Sequence, residues 1–116
     1  MAKVTGIGGV FFKAKDPDAL RKWYAERLGV DAQKWGAIFS APGDTVWNPF
    51  AADTKYFEPS TKDFMINFRV DDLDAVLFAL RAAGERVLDR GESGEHGKFG
   101  YVLDPEGNLL ELWQPK

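Results

Sequence analysis

Short apolar runs alternate with helix-length segments along the chain, and the order repeats. The run Val4 to Ala14 is apolar, β-branched and aromatic, ends at the turn-prone Asp16-Pro17, and reads as a buried strand. A helix follows: Asp16 is placed to cap it, Pro17 suits its first position, Leu20, Trp23, Tyr24 and Leu28 recur at helical spacing, and Gly29 supplies the stop. Residues 35–41 and 45–50 read as strands joined by Pro42-Gly43-Asp44, with Pro49 marking an edge or a strand end. Residues 51–63 are polar and turn-rich around Tyr56 and Phe57, as a connecting segment would be. The opening scheme then returns. Phe64 to Val70 alternates like a half-buried strand, and Asp71 or Asp72 caps a helix with Leu73, Val76, Leu77 and Leu80 on one face and Gly84 at its end. A strand starts at Val87-Leu88, the glycine-rich stretch 89–98 reads as a flexible loop, Phe99–Leu103 is a strand, 104–108 is a tight turn, and Leu109–Trp113 is the last strand.

Sliding the first half onto the second pairs Val10 with Ile66, Phe12 with Phe68, Asp16 with Asp72 and Ala19 with Ala75; Gly29 then meets Gly84 after the loss of one residue. Such a pattern is what a duplicated strand–helix–strands module leaves behind. The modules cover about 4–58 and 63–114 within one domain spanning 1–116, since 116 residues suffice for a single core.

Composition narrows the function classes. With 45% hydrophobic and 28% charged residues, and with nine Phe, four Trp and three Tyr, the chain reads as an ordinary globular domain rich in aromatics. A net charge of −3 without any long basic cluster leaves no footprint for nucleic acid or for a membrane surface. The absence of cysteine removes disulfides, thiolate metal sites and a Cys nucleophile, and is compatible with the cytoplasm, the expected location. No apolar stretch has signal-peptide or membrane-spanning character.

Two β-α-β-β-β units with Asp-capped helices, closed by Asp104-Pro105-Glu106-Gly107-Asn108-Leu109-Leu110-Glu111-Leu112, resemble the vicinal-oxygen-chelate superfamily of glyoxalase I, bleomycin-resistance proteins and extradiol dioxygenases. The resemblance covers nearly the whole chain. It implies an α+β fold in which the two modules curl into a cup-shaped mixed sheet with helices outside, paired as a homodimer. Metal-using members carry His, Gln or Glu at four strand positions, which fall here on Gly9, Trp47, Met65 and Glu111. Only Glu111 can ligate a hard or borderline divalent ion, and one carboxylate cannot hold it. No cofactor is expected, and metal-dependent glyoxalase or dioxygenase chemistry is disfavoured.

Strand alternation places Phe11 and Lys13 with Gly9, Asn67 and Arg69 with Met65, and Leu109 and Trp113 with Glu111, while the opposite faces are apolar and suit packing under helices. Phe11, Trp47, Met65, Asn67, Arg69, Glu111 and Trp113 are thus the expected ligand-binding set: aromatic and apolar contacts with a few polar groups, the usual make-up of a small-molecule site. The bland alternative is a filled cup with Arg69 and Glu111 as a structural ion pair. A metal-independent binder of a small, partly aromatic molecule is the leading reading. The alternative is a lyase or isomerase resembling glyoxalase (lactoylglutathione lyase), with Glu111 as general base or metal ligand. His96, the sole histidine, sits in the expected loop and reads as solvent-exposed, on a segment able to serve as a lid.

Overall fold

A computed structural model describes residue 7 and residues 9–116. Helix α1 (Pro17–Leu28) begins where Asp16 accepts a hydrogen bond from the Ala19 amide at 3.1 Å, and Gly29 ends it in the left-handed region at φ 66°. Helix α2 (Leu73–Ala82) begins the same way, Asp72 accepting from the Ala75 amide at 3.1 Å. The repeat seen along the sequence is therefore also a repeat of capping chemistry, one side-chain oxygen satisfying one of the unpaired N–H groups of the first turn.

Strands β1 (Ile66–Arg69), β2 (Arg86–Gly94), β3 (Gly97–Leu103) and β4 (Leu109–Pro115) form a mixed sheet in the order β1-β4-β3-β2, with β1 parallel to β4 and the other pairs antiparallel. This strand order is the one a β-α-β-β-β unit produces: the helix carries the chain over from β1, and a hairpin returns β4 between β1 and β3. On the helix side, Val102, Leu110 and Leu112 pack with Leu20 and Tyr24 of α1 and Leu73 and Leu80 of α2. On the other side, Tyr101, Leu103 and Leu109 gather with Met65, Tyr56, Leu88 and Phe99. The alternation expected for β1 and β4 holds.

Two expectations are corrected. Residues 89–98 are not a loop: β2 runs to Gly94 and turns into β3 at Glu95-His96, with Gly91 opposite Gly100 and Gly94 opposite Gly97. Of the four, Gly97 and Gly100 mark close approach. A Cβ on Gly97, at φ 117°, would run into the Gln114 carbonyl oxygen of β4, and one on Gly100 would come within 2.9 Å of the Leu77 side chain of α2. No lid exists there.

The second correction concerns the first half. The expected strand Val4–Ala14 lies partly outside the described residues; its described part, with 35–41 and 45–50, forms no strand, and only an isolated bridge links Gln33 to Gly36. The physical reason lies in α1, whose apolar face is already used on the β3–β4 face beside α2 and leaves no helix to cover a separate sheet. Single aromatic pairs tie these stretches to the rest: Phe12 on Phe64, Phe39 on Phe68, and Phe50 on Tyr56 and Phe57.

Asp104-Pro105-Glu106-Gly107-Asn108 fastens the two halves together. Fully buried Asp104 accepts from the Tyr24 hydroxyl at 2.8 Å, the Glu106 and Asn108 amides at 2.8 and 3.0 Å, and the Asn108 side-chain amide at 2.7 Å. Glu106 takes the backbone N–H groups of Asp16 and Lys15, at 3.0 and 2.8 Å, just ahead of α1. The signature is thus a clamp between the two halves of the chain.

Candidate functional site

Parallel pairing sets Asn67 opposite Glu111 and Arg69 opposite Trp113; antiparallel pairing sets Tyr101 opposite Glu111 and Phe99 opposite Trp113. Because side chains alternate, the face away from the helices carries two rows across three strands: Asn67–Glu111–Tyr101 and Arg69–Trp113–Phe99.

The first row centres on Glu111, which is 8% exposed. Its Oε2 accepts from the hydroxyls of Tyr56 and Tyr101 at 2.6 and 2.7 Å, and its Oε1 accepts from the Asn67 amide at 2.8 Å. The two hydroxyls lie 2.7 Å apart. Arg90 lies across both rings, its Cζ 3.9 Å from the Tyr101 centroid and 4.3 Å from that of Tyr56, and Nη1 donates to the Tyr56 carbonyl at 2.9 Å. Burial, more than the carboxylate, pushes both phenols above the ordinary tyrosine range; the hydrogen bonds to Glu111 push the same way.

In the second row the Trp113 indole lies parallel to Phe99, 6.0 Å between centroids, and its Nε1 donates to the His96 carbonyl at 2.9 Å. Arg69 donates to the Asp44 carbonyl at 2.5 Å. These two residues, with Gly43, Asp44, Glu95 and His96 among their neighbours, line an open cleft of about 490 Å³. A hollow of about 390 Å³ beside α1, lined by Trp23, Glu26 and Glu106 among others, has no connection to this face.

Of the residues expected from the sequence, the sheet brings together Met65, Asn67, Arg69, Glu111 and Trp113. It does not bring in Phe11 and Trp47, which are 94% and 77% exposed on stretches without strand pairing. The Arg69–Glu111 ion pair does not form, since each has other partners. His96 contributes its carbonyl; its exposed ring lies 3.5 Å from Glu95. Tyr56, Tyr101 and Arg90 were missed. Tyr101 lies on the expected strand Phe99–Leu103, and extending the alternation to that strand puts it on the face of Phe99. Arg90 lies within the register shift between Val87 and Gly91, which breaks the alternation, and Tyr56 sits in a connector without any period.

The residues at the four superfamily metal positions do not fit a divalent ion. Gly9 offers no donor, Trp47 none with a free lone pair, Met65 packs as an apolar side chain, and both oxygens of Glu111 are engaged by neutral donors. Among the described residues no group of three His, Asp or Glu side chains is placed to hold a metal.

A helix-covered sheet of this strand order, with a polar and aromatic face opposite the helices, defines a glyoxalase/bleomycin-resistance-type module. The chain belongs to the glyoxalase-like domain family, which matches residues 9–113, and so to the vicinal-oxygen-chelate superfamily. No curated protein sequence matches it. Among solved structures, it is similar to TnmS3, an antibiotic binding protein from Streptomyces sp. CB03234, at 22% identity over 100% of both chains with a TM-score of 0.65. A member of the glyoxalase/bleomycin resistance protein/dioxygenase superfamily from Sphaerobacter thermophilus aligns at 18% identity over 96% of this chain and 98% of its own, with a TM-score of 0.60. TioX from Micromonospora sp. ML1 aligns at 18% identity over 89% and 90%, with a TM-score of 0.53.

Proposed function

We propose that this protein binds a small, partly aromatic organic molecule on the open sheet face, without a metal. One observation carries the reading: at the position where metal-using members of the superfamily place a ligand, Glu111 is engaged by Tyr56, Tyr101 and Asn67, while beside it Arg69 and Trp113, the latter stacked on Phe99, border an open cleft. A few polar groups set among aromatics are what small-molecule sites are built from. The similarity to TnmS3, described as an antibiotic binding protein, supports the same direction.

The test is a tryptophan-fluorescence screen of small aromatic compounds in the presence of chelator. A saturable change that is lost in Trp113→Phe and kept in Trp35→Phe is expected; no saturation across the compound classes would leave the face a structural surface. Stoichiometric Ni, Zn, Mn or Fe in protein purified without chelator, lost with Glu111→Ala, would also overturn the reading. The competing lyase or isomerase reading needs the Tyr56 hydroxyl to leave Glu111 before the carboxylate can take a proton. A metal-free turnover abolished by Glu111→Gln would establish it.

A homodimer is part of the proposal. Exposed large apolar side chains concentrate in the first half, at Val10, Phe11, Trp35, Ile38, Phe39, Val46 and Trp47, and a set of this extent marks an interaction surface. Sedimentation equilibrium at micromolar concentration is expected to give twice the chain mass; a monomer would remove this element. The described residues contain no helix long and apolar enough to cross a membrane, and cytoplasmic residence remains part of the proposal.

A further inference from the structure

We propose that the cleft selects acidic aromatic molecules, with the Arg69 guanidinium as the anion contact and the Trp113–Phe99 stack as the platform for the ring. The inference rests on the ligand-binding reading above and gives it a chemical class.

Among the described residues, Arg69 forms no ion pair with a carboxylate, unlike Arg21 and Arg27, which pair with Asp18 and Glu85. A guanidinium has five N–H donors, and among the described residues the Arg69 guanidinium makes one hydrogen bond, from Nη1 to the Asp44 carbonyl. The Glu111 carboxylate, the buried acid of the face, is engaged by hydroxyl and amide donors and makes no ion pair with Arg69.

The guanidinium is also held in place. A Cβ on Gly43 would lie 2.6 Å from Arg69 Nε and 2.7 Å from Cζ, so the planar group rests directly against the backbone of the 42–44 turn. A planar fork fixed in this way recognises a carboxylate or sulfonate at a small entropic cost. The other charged groups of the cleft are Lys116, which adds to the positive side, and Asp44 and Glu95. Glu95 faces the exposed His96 ring at 3.5 Å, and Asp44 approaches Arg69 through its carbonyl. Next to Arg69 on the same row stands the Trp113 indole, backed by Phe99 at an interplanar angle of 1°. An acid group and an aromatic ring joined directly to each other match that juxtaposition.

Equilibrium dialysis of the full chain against 2-naphthoate, 2-naphthamide and 2-naphthylmethylammonium tests this. These probes share one ring system and differ in charge. Wild type is expected to hold the acid about tenfold more tightly than the amide, and the cation most weakly. Arg69→Gln should abolish the acid's advantage with amide binding unchanged, Arg69→Lys should restore part of it, and Arg81→Gln, which removes an equal charge on α2, should leave it intact. Gly43→Ala, which keeps the charge but takes away its seat, should weaken acid binding alone. Equal binding of acid and amide to wild type, or an advantage that survives Arg69→Gln, overturns the inference while the binding reading stands. Failure of all three probes to bind removes both. Amide NMR spectra of each variant establish that the fold is retained.

Discussion

Asp104→Ala is expected to lower the unfolding free energy by about 4 kcal/mol, measured by chemical denaturation. The carboxylate is 0% exposed and accepts from four donors, and alanine leaves the Tyr24 hydroxyl, the Asn108 side-chain amide and two backbone N–H groups without an acceptor. Unsatisfied buried donors cost more than the bonds themselves contribute, so the loss exceeds that of any one bond. Tyr24→Phe, which removes a single donor, should cost only about 1 kcal/mol. For a domain whose total stability is of order 5–15 kcal/mol, the alanine variant comes close to unfolding. A loss below about 1 kcal/mol would mean that the Asp-Pro-Glu-Gly-Asn signature is not the clamp described. The neighbouring Glu106 carboxyl is held below the ordinary carboxylate range by the Asp16 and Lys15 backbone N–H groups. Its contribution is therefore complete above the ordinary carboxylate pKa and is lost as pH falls through the lowered value.

Glu111→Ala should cost about 3 kcal/mol for the same reason, because Tyr56, Tyr101 and Asn67 lose their common acceptor. A second readout separates this from ordinary core damage. All three tyrosines, Tyr24, Tyr56 and Tyr101, have pKa values raised above 10.0, with burial the largest cause in each. The folded state therefore holds phenolic protons that the unfolded state releases; the associated stability is present below pH about 10 and declines as pH rises beyond it. Absorbance titration of the wild type should show little phenolate at pH about 10, where a free tyrosine is half ionised, and ionisation should accompany unfolding. In Glu111→Ala, folded protein should ionise Tyr56 at lower pH than wild type, since a hydrogen bond favouring its neutral form is gone. An unchanged tyrosine titration together with an unchanged denaturation midpoint would show that the network carries no energy.

The second half of the chain was legible because local signals agreed there. Asp72 capped a helix of helical periodicity, Leu110 and Leu112 alternated with Glu111, and the structure uses each as the pattern implied. Glycine misled in both directions. Between residues 89 and 98 glycine content signals a loop, whereas these residues pair as strands and Gly97 stands where a Cβ would meet the β4 backbone. In the first half the apolar pattern of residues 9–14, 35–41 and 45–50 is a real signal for strands, but strand formation depends on a partner surface, and α1 already lies on the β3–β4 face. That is why Phe11, placed on the site by alternation, and Trp47, placed there by the superfamily's metal positions, are exposed away from it. Within the site, Asn67, Arg69, Glu111 and Trp113 could be found from the period of two. Tyr56 and Arg90 come from a turn-rich connector and a shifted register, where no period exists.

The central claim is that the sheet face formed by Asn67, Glu111, Arg69 and Trp113 binds a small aromatic molecule without a metal. Two-dimensional NMR of labelled, chelator-treated protein titrated with the aromatic compound that gives fluorescence saturation tests it most directly. The account predicts saturable shifts confined to Asn67, Arg69, Glu111, Trp113 and their strand neighbours, unchanged by added Zn²⁺ or Ni²⁺. Shifts confined to the α1 hollow around Trp23, or shifts on the sheet face that appear only once a divalent ion is added, would contradict it.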